Sequence, residues 1–285
     1  MCIRDRVNIV PSAEHTVGAL LAADPRVDQI SFTGSTATGK RVMTSAAESL
    51  KKVFLELGGK SAFVILDDAD LRGACATAAF TVCTHAGQGC AITTRLLVPR
   101  GQFDQAVEST AKVLAKLPAA DPTDPGTICG PLISARQRDR VEGYLALALE
   151  EGGTVVIGGG RPADQNRGYY VEPTLLVGLP NSSRVSQEEI FGPVLVVIPH
   201  DGDDDAVTLA NDSAYGLSGS VWSADRDRAL AVAGRMRTGT VGVNGGLWFS
   251  PDVPFGGYKQ SGVGRESGVA GFEEYLETKS IAEPA

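Results

Sequence analysis

Apolar and polar positions alternate in blocks that switch between strand-sized and helix-sized along the chain. From Ser12 to Ala23 a serine cap precedes apolar positions at helical spacing. VDQISF, ending at Phe32, is a short strand, and residues 35–48 predict the next helix. VFLEL (53–57) and AFVIL (62–66) are strand-like apolar runs separated by a Gly-Gly break. Residues 68–83 predict a helix of small residues suited to close packing. TTRLLVP (93–99) is a strand, and helices follow over Phe103–Leu117 and Ser134–Glu150. Then come the strands TVVIG (154–158), YYVEPTLLVG (169–178) and PVLVVIP (193–199). DDDAVTLAND (203–212) is a helix whose acidic first turn suits the N-terminal dipole. SGSVWS (218–223), a helix from Ala224 to Arg237 and the strand GTVGVN (239–244) complete the regular part. This repeated βα order predicts an α/β fold, a three-layer α/β/α arrangement with mainly parallel sheets. Gly245–Gly268, broken by Gly and Pro, predicts a long functional loop.

Composition narrows the function classes. The 285 residues are 43% hydrophobic and 21% charged, with a net charge of −8. That acidity argues against nucleic acid or an anionic membrane as the main partner. No apolar run reaches the roughly 18–20 residues of a membrane span. MCIRDR at the N-terminus has no apolar core of a signal peptide. The five cysteines, Cys2, Cys75, Cys83, Cys90 and Cys129, are odd in number and irregularly spaced, so they are not a disulfide framework. A reducing cytoplasm is the expected compartment.

Three segments carry candidate chemistry. FTGSTATGK joins a strand to a helix start, where free N–H groups favour an anion. GSTATGKR nearly matches the phosphate-loop pattern of nucleotide hydrolases, but Arg41 replaces the hydroxyl that would hold Mg²⁺. A dinucleotide site and a plain serine cap are the other readings. In THAGQGCAITTR, glycines beside Cys90 permit a tight bend that frees its N–H as half of an oxyanion hole. Cys90 is a candidate nucleophile, an inert core thiol or, with His85, a Cys–His pair. A zinc site from Cys83, His85 and Cys90 lacks the usual ligand spacing, and no metal is expected. Cys75 and Cys83 read as core. Glu56, ending an apolar strand before Gly58 and Gly59, is either salt-bridged or shifted in pKa, and could reach a substrate water.

Together these segments resemble the aldehyde dehydrogenase superfamily. The resemblance runs from Val7 to about Ala282 and includes VNIVP, FTGSTATGK, LELGGKS, GQGCAITTR, EEIFGPVL, NDSAYGLSGSVWS, GTVGVN and PFGGYKQSGVGRE. It implies NAD as cofactor, with NADP possible, an aldehyde as substrate and a homo-dimer or homo-tetramer as assembly. It makes Cys90 the nucleophile that forms a thiohemiacetal and then a thioester, and Glu56 the base that activates the hydrolytic water. Gly34 and Ser35 resemble the pyrophosphate contact, and Leu57 and Gly58 the backbone beside the nicotinamide. Glu189 resembles the carboxylate on the nicotinamide ribose, and Phe191 the ring packed by it. Phe249 and Phe255 fall where the family places aromatic walls of the substrate tunnel. Glu266 resembles part of a proton path behind Glu56, with an ion pair to Arg265 or Lys259 as the other reading. GFEEYLETKSIA resembles the tail strand that joins subunits.

The family's upstream part, including its oxyanion-hole Asn, has no counterpart here. Residues 1–6 therefore read as foreign, 7–57 as the remnant of a dinucleotide-binding domain, 58–258 as the catalytic domain and 259–285 as the return segment and oligomerisation tail. With one oxyanion donor missing, weak or no activity is expected of the 285 residues alone. A non-catalytic member of the fold, and a thiol esterase or acyltransferase using Cys90, are the competing functions.

Overall fold

The computed structural model describes residues 6–246 and 249–284; Cys2 and most of the MCIRDR segment lie outside them. The chain opens with α1 (Thr16–Ala23), β1 (Gln29–Thr33), α2 (Thr36–Ala47) and β2 (Lys52–Glu56). It continues through β3 (Ser61–Ile65), α3 (Leu71–Cys83), β4 (Thr93–Pro99), α4 (Phe103–Leu114) and α5 (Ala135–Glu150). Next come β5 (Thr154–Ile157), β6 (Thr174–Val177), α6 (Arg184–Gln187), β7 (Val194–His200) and α7 (Asp203–Asn211). The last elements are β8 (Tyr215–Gly216), β9 (Ser218–Trp222), α8 (Arg226–Arg235), β10 (Thr240–Val243), β11 (Tyr258–Lys259), β12 (Gly262–Val263) and α9 (Gly268–Glu273).

Two main sheets organise these elements, beside a short antiparallel β8–β11 pair. The larger has seven strands in the order β10-β9-β3-β4-β7-β6-β5, parallel throughout except for the β5–β6 pair at one edge. The smaller has the order β1-β2-β12: β1 and β2 are parallel, and β12 returns antiparallel from the far end of the chain. Helices α3 and α4 pack together over the large sheet, as do α7 and α8. The expected three-layer α/β fold is thus present. Its central strands carry apolar side chains on both faces because both are covered. Phe63, Val64, Ile65, Leu96, Leu97, Leu175, Leu195 and Val196 are fully buried there. Ala74, Ala78 and Ala79 give α3 a small-residue face that lets it lie close to the sheet.

Several expectations change in detail. The strand expected over 169–178 is confined to β6, because Pro173 cannot donate to a ladder hydrogen bond. The helix expected to end at Leu117 stops at Leu114, where the last turn tightens and Leu117 N–H bonds to Leu114. The tail expected as a strand instead begins with α9, and its last described residues form no regular element. A strand needs a neighbour for its backbone groups, and none of the described residues supplies one there. The described residues between Gly245 and Gly268 are irregular as expected, apart from β11, β12 and the start of α9.

Candidate active site

The site lies where the small sheet meets the large one. β2 ends at Glu56, the turn Leu57-Gly58-Gly59-Lys60 follows, and β3 starts at Ser61. Three segments distant in sequence converge on this turn. Gly34 N–H donates to the Glu56 carbonyl at 3.0 Å, which sets the start of α2 beside the end of β2. Ser261 accepts from Leu57 N–H through its carbonyl at 2.9 Å, and its hydroxyl donates to the Gly58 carbonyl at 2.7 Å. Gly59 N–H donates to Oε1 of Glu189 at 3.1 Å. The glycines are needed for contact: a Cβ on Gly58 would overlap the Glu189 carboxylate, and one on Gly59 would lie 2.5 Å from the Cys90 carbonyl oxygen.

Cys90 follows α3 through a turn in left-handed backbone: His85 has φ +52°, Ala86 φ +54° and Gly87 φ +71°. Such angles are costly for non-glycine residues and survive only where the surroundings hold them. Here Gly87 packs against the Gly192 backbone so closely that a Cβ would overlap it. Gln88 braces the turn from both ends, donating to the His85 carbonyl at 3.1 Å and accepting from Ile133 N–H at 2.9 Å. Cys90 emerges half-buried against Ala91, Leu217 and Phe255, and its own N–H meets no backbone acceptor among the described residues. His85 is exposed, and the Cys83 thiol is buried against Cys129. The Cys–His pair and the Cys83–His85–Cys90 metal set are therefore not assembled.

Glu56 and Cys90 perturb each other. Glu56 is 2% exposed, and neither carboxylate oxygen has a hydrogen-bond partner of good geometry among the described residues. Burial lifts its pKa to about 7, opposed by the nearby Cys90 thiol and by Arg265, and reinforced by Glu266 and Glu189. Burial also pushes the Cys90 thiol up to about 12, with the Glu56 charge second and the Ala91 N–H working the other way. Among the described residues no salt bridge neutralises Glu56, which favours the shifted carboxylate over the salt-bridged one. A buried, unpaired carboxylate near neutral pH is suited to taking a proton.

The remaining expected residues fall around this pair. Ser35 caps α2, its hydroxyl accepting from Thr38 N–H, and the N–H groups of Thr36 and Ala37 have no backbone acceptor among the described residues. Lys40 is a full turn inside α2 and donates to Gln260 at 3.0 Å. Phe191 has φ +62°, and its carbonyl accepts from Gln137 at 2.8 Å. Phe255 touches the Cys90 cluster and meets Phe249 edge-to-face at 5.7 Å, so an apolar wall runs outward from the sulfur. Glu266 pairs with Phe255 through two 2.7 Å backbone bonds and lies within electrostatic range of Glu56. Its proposed ion-pair partners are engaged elsewhere: Arg265 donates to the Gly257 and Gly264 carbonyls, and Lys259 to those of Asn211 and Ser213.

Sequence reading missed the residues that hold the 188–191 segment. From α5, Gln137 donates to the Ile190 and Phe191 carbonyls, Arg140 to those of Glu189 and Ile190, and Tyr144 to Glu188. The i, i+3 spacing of Gln137 and Arg140 puts both on one helix face, but a polar face on an expected helix gave no reason to look beyond solvent. Arg95 was missed as well. It is fully buried on β4 and donates to Asn181 and to the carbonyls of Lys60, Leu209 and Ala210.

A mainly parallel α/β protein with a cysteine and a buried carboxylate beside an open helix N-terminus is thus the class that fold and site define. Residues 4–281 match the model of the aldehyde dehydrogenase family. The chain belongs to that family. It is 44% identical over 277 residues to geranial dehydrogenase of Castellaniella defragrans, covering 96% of this chain and 57% of that protein. It is also 44% identical over 276 residues to a putative aldehyde dehydrogenase of Staphylococcus saprophyticus, covering 96% of this chain and 58% of the relative. Among solved structures, a Mycobacterium tuberculosis aldehyde dehydrogenase complexed with NAD+ superposes with a TM-score of 0.91 at 47% identity, over 94% of this chain and 55% of that one. A Pseudomonas syringae aldehyde dehydrogenase with NAD+ and octanal gives a TM-score of 0.91 at 42% identity, over 93% of this chain and 55% of that one. The chain thus spans somewhat over half the length of these relatives. No described helix is long and apolar enough to cross a membrane.

Proposed function

We propose that this chain carries the catalytic machinery of an NAD-dependent aldehyde dehydrogenase, oxidising an aldehyde to a carboxylic acid. The observation that carries the reading is the approach of Cys90 and the unpaired, buried Glu56 at the sheet junction. The residues present fit a dinucleotide. The open N–H groups after the Ser35 cap suit a pyrophosphate. Glu189 offers a carboxylate at Gly59 for a ribose, and the Cβ-free Gly58 leaves flat backbone beside it. When bound, NAD+ supplies the hydride acceptor and a positive ring charge that favours the thiolate.

The chain's own residues do the rest. The Cys90 sulfur bonds to the aldehyde carbon, and its proton passes to Glu56. The resulting oxyanion is met by the free Cys90 N–H. After oxidation to the thioester, Glu56 takes a proton from water, whose oxygen attacks the acyl carbon and releases the Cys90 sulfur and the acid. Phe255 and Phe249 guide the substrate along their apolar wall, and Glu266 passes the proton onward from Glu56.

The division at Glu56–Ser61 between the two sheets supports reading 7–57 as part of the cofactor domain and 58–258 as the catalytic domain. The return of β12 to β2 supports a distinct segment from residue 259. A homo-oligomer and a cytoplasmic setting go with this reading. The test is absorbance at 340 nm with NAD+ and a panel of aldehydes, beside mass spectrometry of the trapped protein. An acyl or aldehyde adduct on Cys90, absent from Cys90→Ser, is expected; reduction of NAD+ without any Cys90 adduct would overturn the mechanism.

A further inference from the structure

We propose that Lys60 is a positioning residue, a buried counter-charge that holds the Glu189 carboxylate at Gly59 in its ionised form. Lys60 directly follows the Gly59 whose N–H binds Glu189. Its side chain is 1% exposed, and Nζ has no hydrogen-bond partner among the described residues. A buried amine keeps its proton only where an opposite charge lies near enough to offset its lost hydration.

The charged groups around Lys60 narrow the choice. Arg95 on β4 and Arg140 on α5 repel it; Glu188 and Glu189, following α6, attract it. Arg95 is engaged by Asn181 and three carbonyls. Arg140 directs its guanidinium at the Glu189 and Ile190 carbonyls and lies over the Tyr144 ring. Glu188 already pairs with Arg184 at 2.8 Å and accepts from Tyr144 at 2.7 Å. Glu189 forms no ion pair among the described residues, and its carboxylate is met only by the Gly59 N–H. Lys60 and Glu189 are thus the two opposite charges left uncommitted. Lys60 also lines a small pocket with Arg95, Tyr215, Gly216, Leu217 and Thr238.

The proton affinities make the pairing pH-selective. Burial, then Arg95, brings Lys60 down to about 7, against the pull of Glu189 and Glu188. Burial raises Glu189, while the Gly59 N–H, Arg140 and Lys60 lower it. Below about pH 7 Lys60 is charged, and that charge favours the ionised form of Glu189 against the effect of burial. Lys60 therefore extends the acid side of the range in which Glu189 can accept hydrogen bonds from a ribose. That last consequence rests on the proposed role of Glu189.

The experiment is a pH titration of the Glu189 side-chain carboxyl by ¹³C NMR in the full chain, assigned with Glu189→Gln. In Lys60→Met the midpoint should move up, and in Lys60→Arg it should stay close to the wild-type value. Coupling is reciprocal, so the Lys60 amine of Glu189→Gln should lose its proton at lower pH than in the wild type. That second titration decides the matter if Lys60→Met does not fold. Unmoved midpoints in the variants that fold would overturn the proposal. If the midpoints move but the acid-side NAD+ affinity of Lys60→Met does not fall, the coupling stands and the ribose role of Glu189 fails.

Discussion

Ser261 and Gly58 lie 203 positions apart, yet the Ser261 hydroxyl donates to the Gly58 carbonyl at 2.7 Å and accepts from Gly216 N–H at 3.0 Å. One fully buried hydroxyl thus ties the return segment to the turn between Glu56 and the large sheet.

Ser261→Ala removes both bonds and leaves a buried carbonyl and a buried N–H without that partner. A loss of about 1–3 kcal/mol is expected, read as a lower urea midpoint at unchanged slope. A threonine retains the hydroxyl, so Ser261→Thr should recover part of the loss where its extra methyl fits.

The Glu56 shift makes stability depend on pH. Its folded pKa, about 7, lies above the ordinary 4.5, so the folded state holds the proton more tightly. This contribution is fully present below about pH 4.5 and is lost as pH rises through 7. Glu56→Gln has no such step. Its stability relative to wild type should therefore grow between pH 5 and about pH 8, measured by denaturant titration; parallel curves would rule out burial of an unpaired carboxylate.

Cys90 is held protonated first by burial and then by the Glu56 charge. Removing that charge in Glu56→Gln should speed simple alkylation of Cys90 at alkaline pH, while slowing turnover if Glu56 has its proposed role as base. Iodoacetamide labelling followed by peptide mass spectrometry reads the first effect. Slower labelling would mean that Glu56 activates the thiol even without substrate.

Gly58→Ala places a methyl where the Glu189 carboxylate now sits. The carboxylate must leave Gly59, and NAD+ affinity should fall by about tenfold or more, the equivalent of one charge-assisted hydrogen bond of about 1.5–3 kcal/mol. Calorimetric titration with NAD+ checks this, and unaltered affinity would remove Glu189 from the cofactor site.

Much of this protein was legible because periodicity is local. The strands around Phe63, Leu96 and Val196 are buried on both faces, so their apolar runs announce a covered parallel sheet. The glycines at 58 and 59 stood out only as a break between two strands; that a Cβ there would overlap the Glu189 carboxylate or the Cys90 carbonyl came from the structure. Gln137, Arg140 and Arg95 were not legible, because a polar side chain reads as solvated until its acceptors are known.

Sequence alone determined the α/β layering and the Ser35 cap that opens α2, and it offered a cysteine at 90 and a carboxylate at 56 as candidates for the chemistry. Only the tertiary structure decided that Glu56 is buried with no ion-pair partner among the described residues, that Cys90 lies beside it while His85 is exposed, and that Lys60 is buried without a hydrogen-bond partner among the described residues. The reason is one of range. Helix and strand signals are set by neighbours a few positions apart, whereas proton affinities depend on burial and on charges brought together from distant parts of the chain.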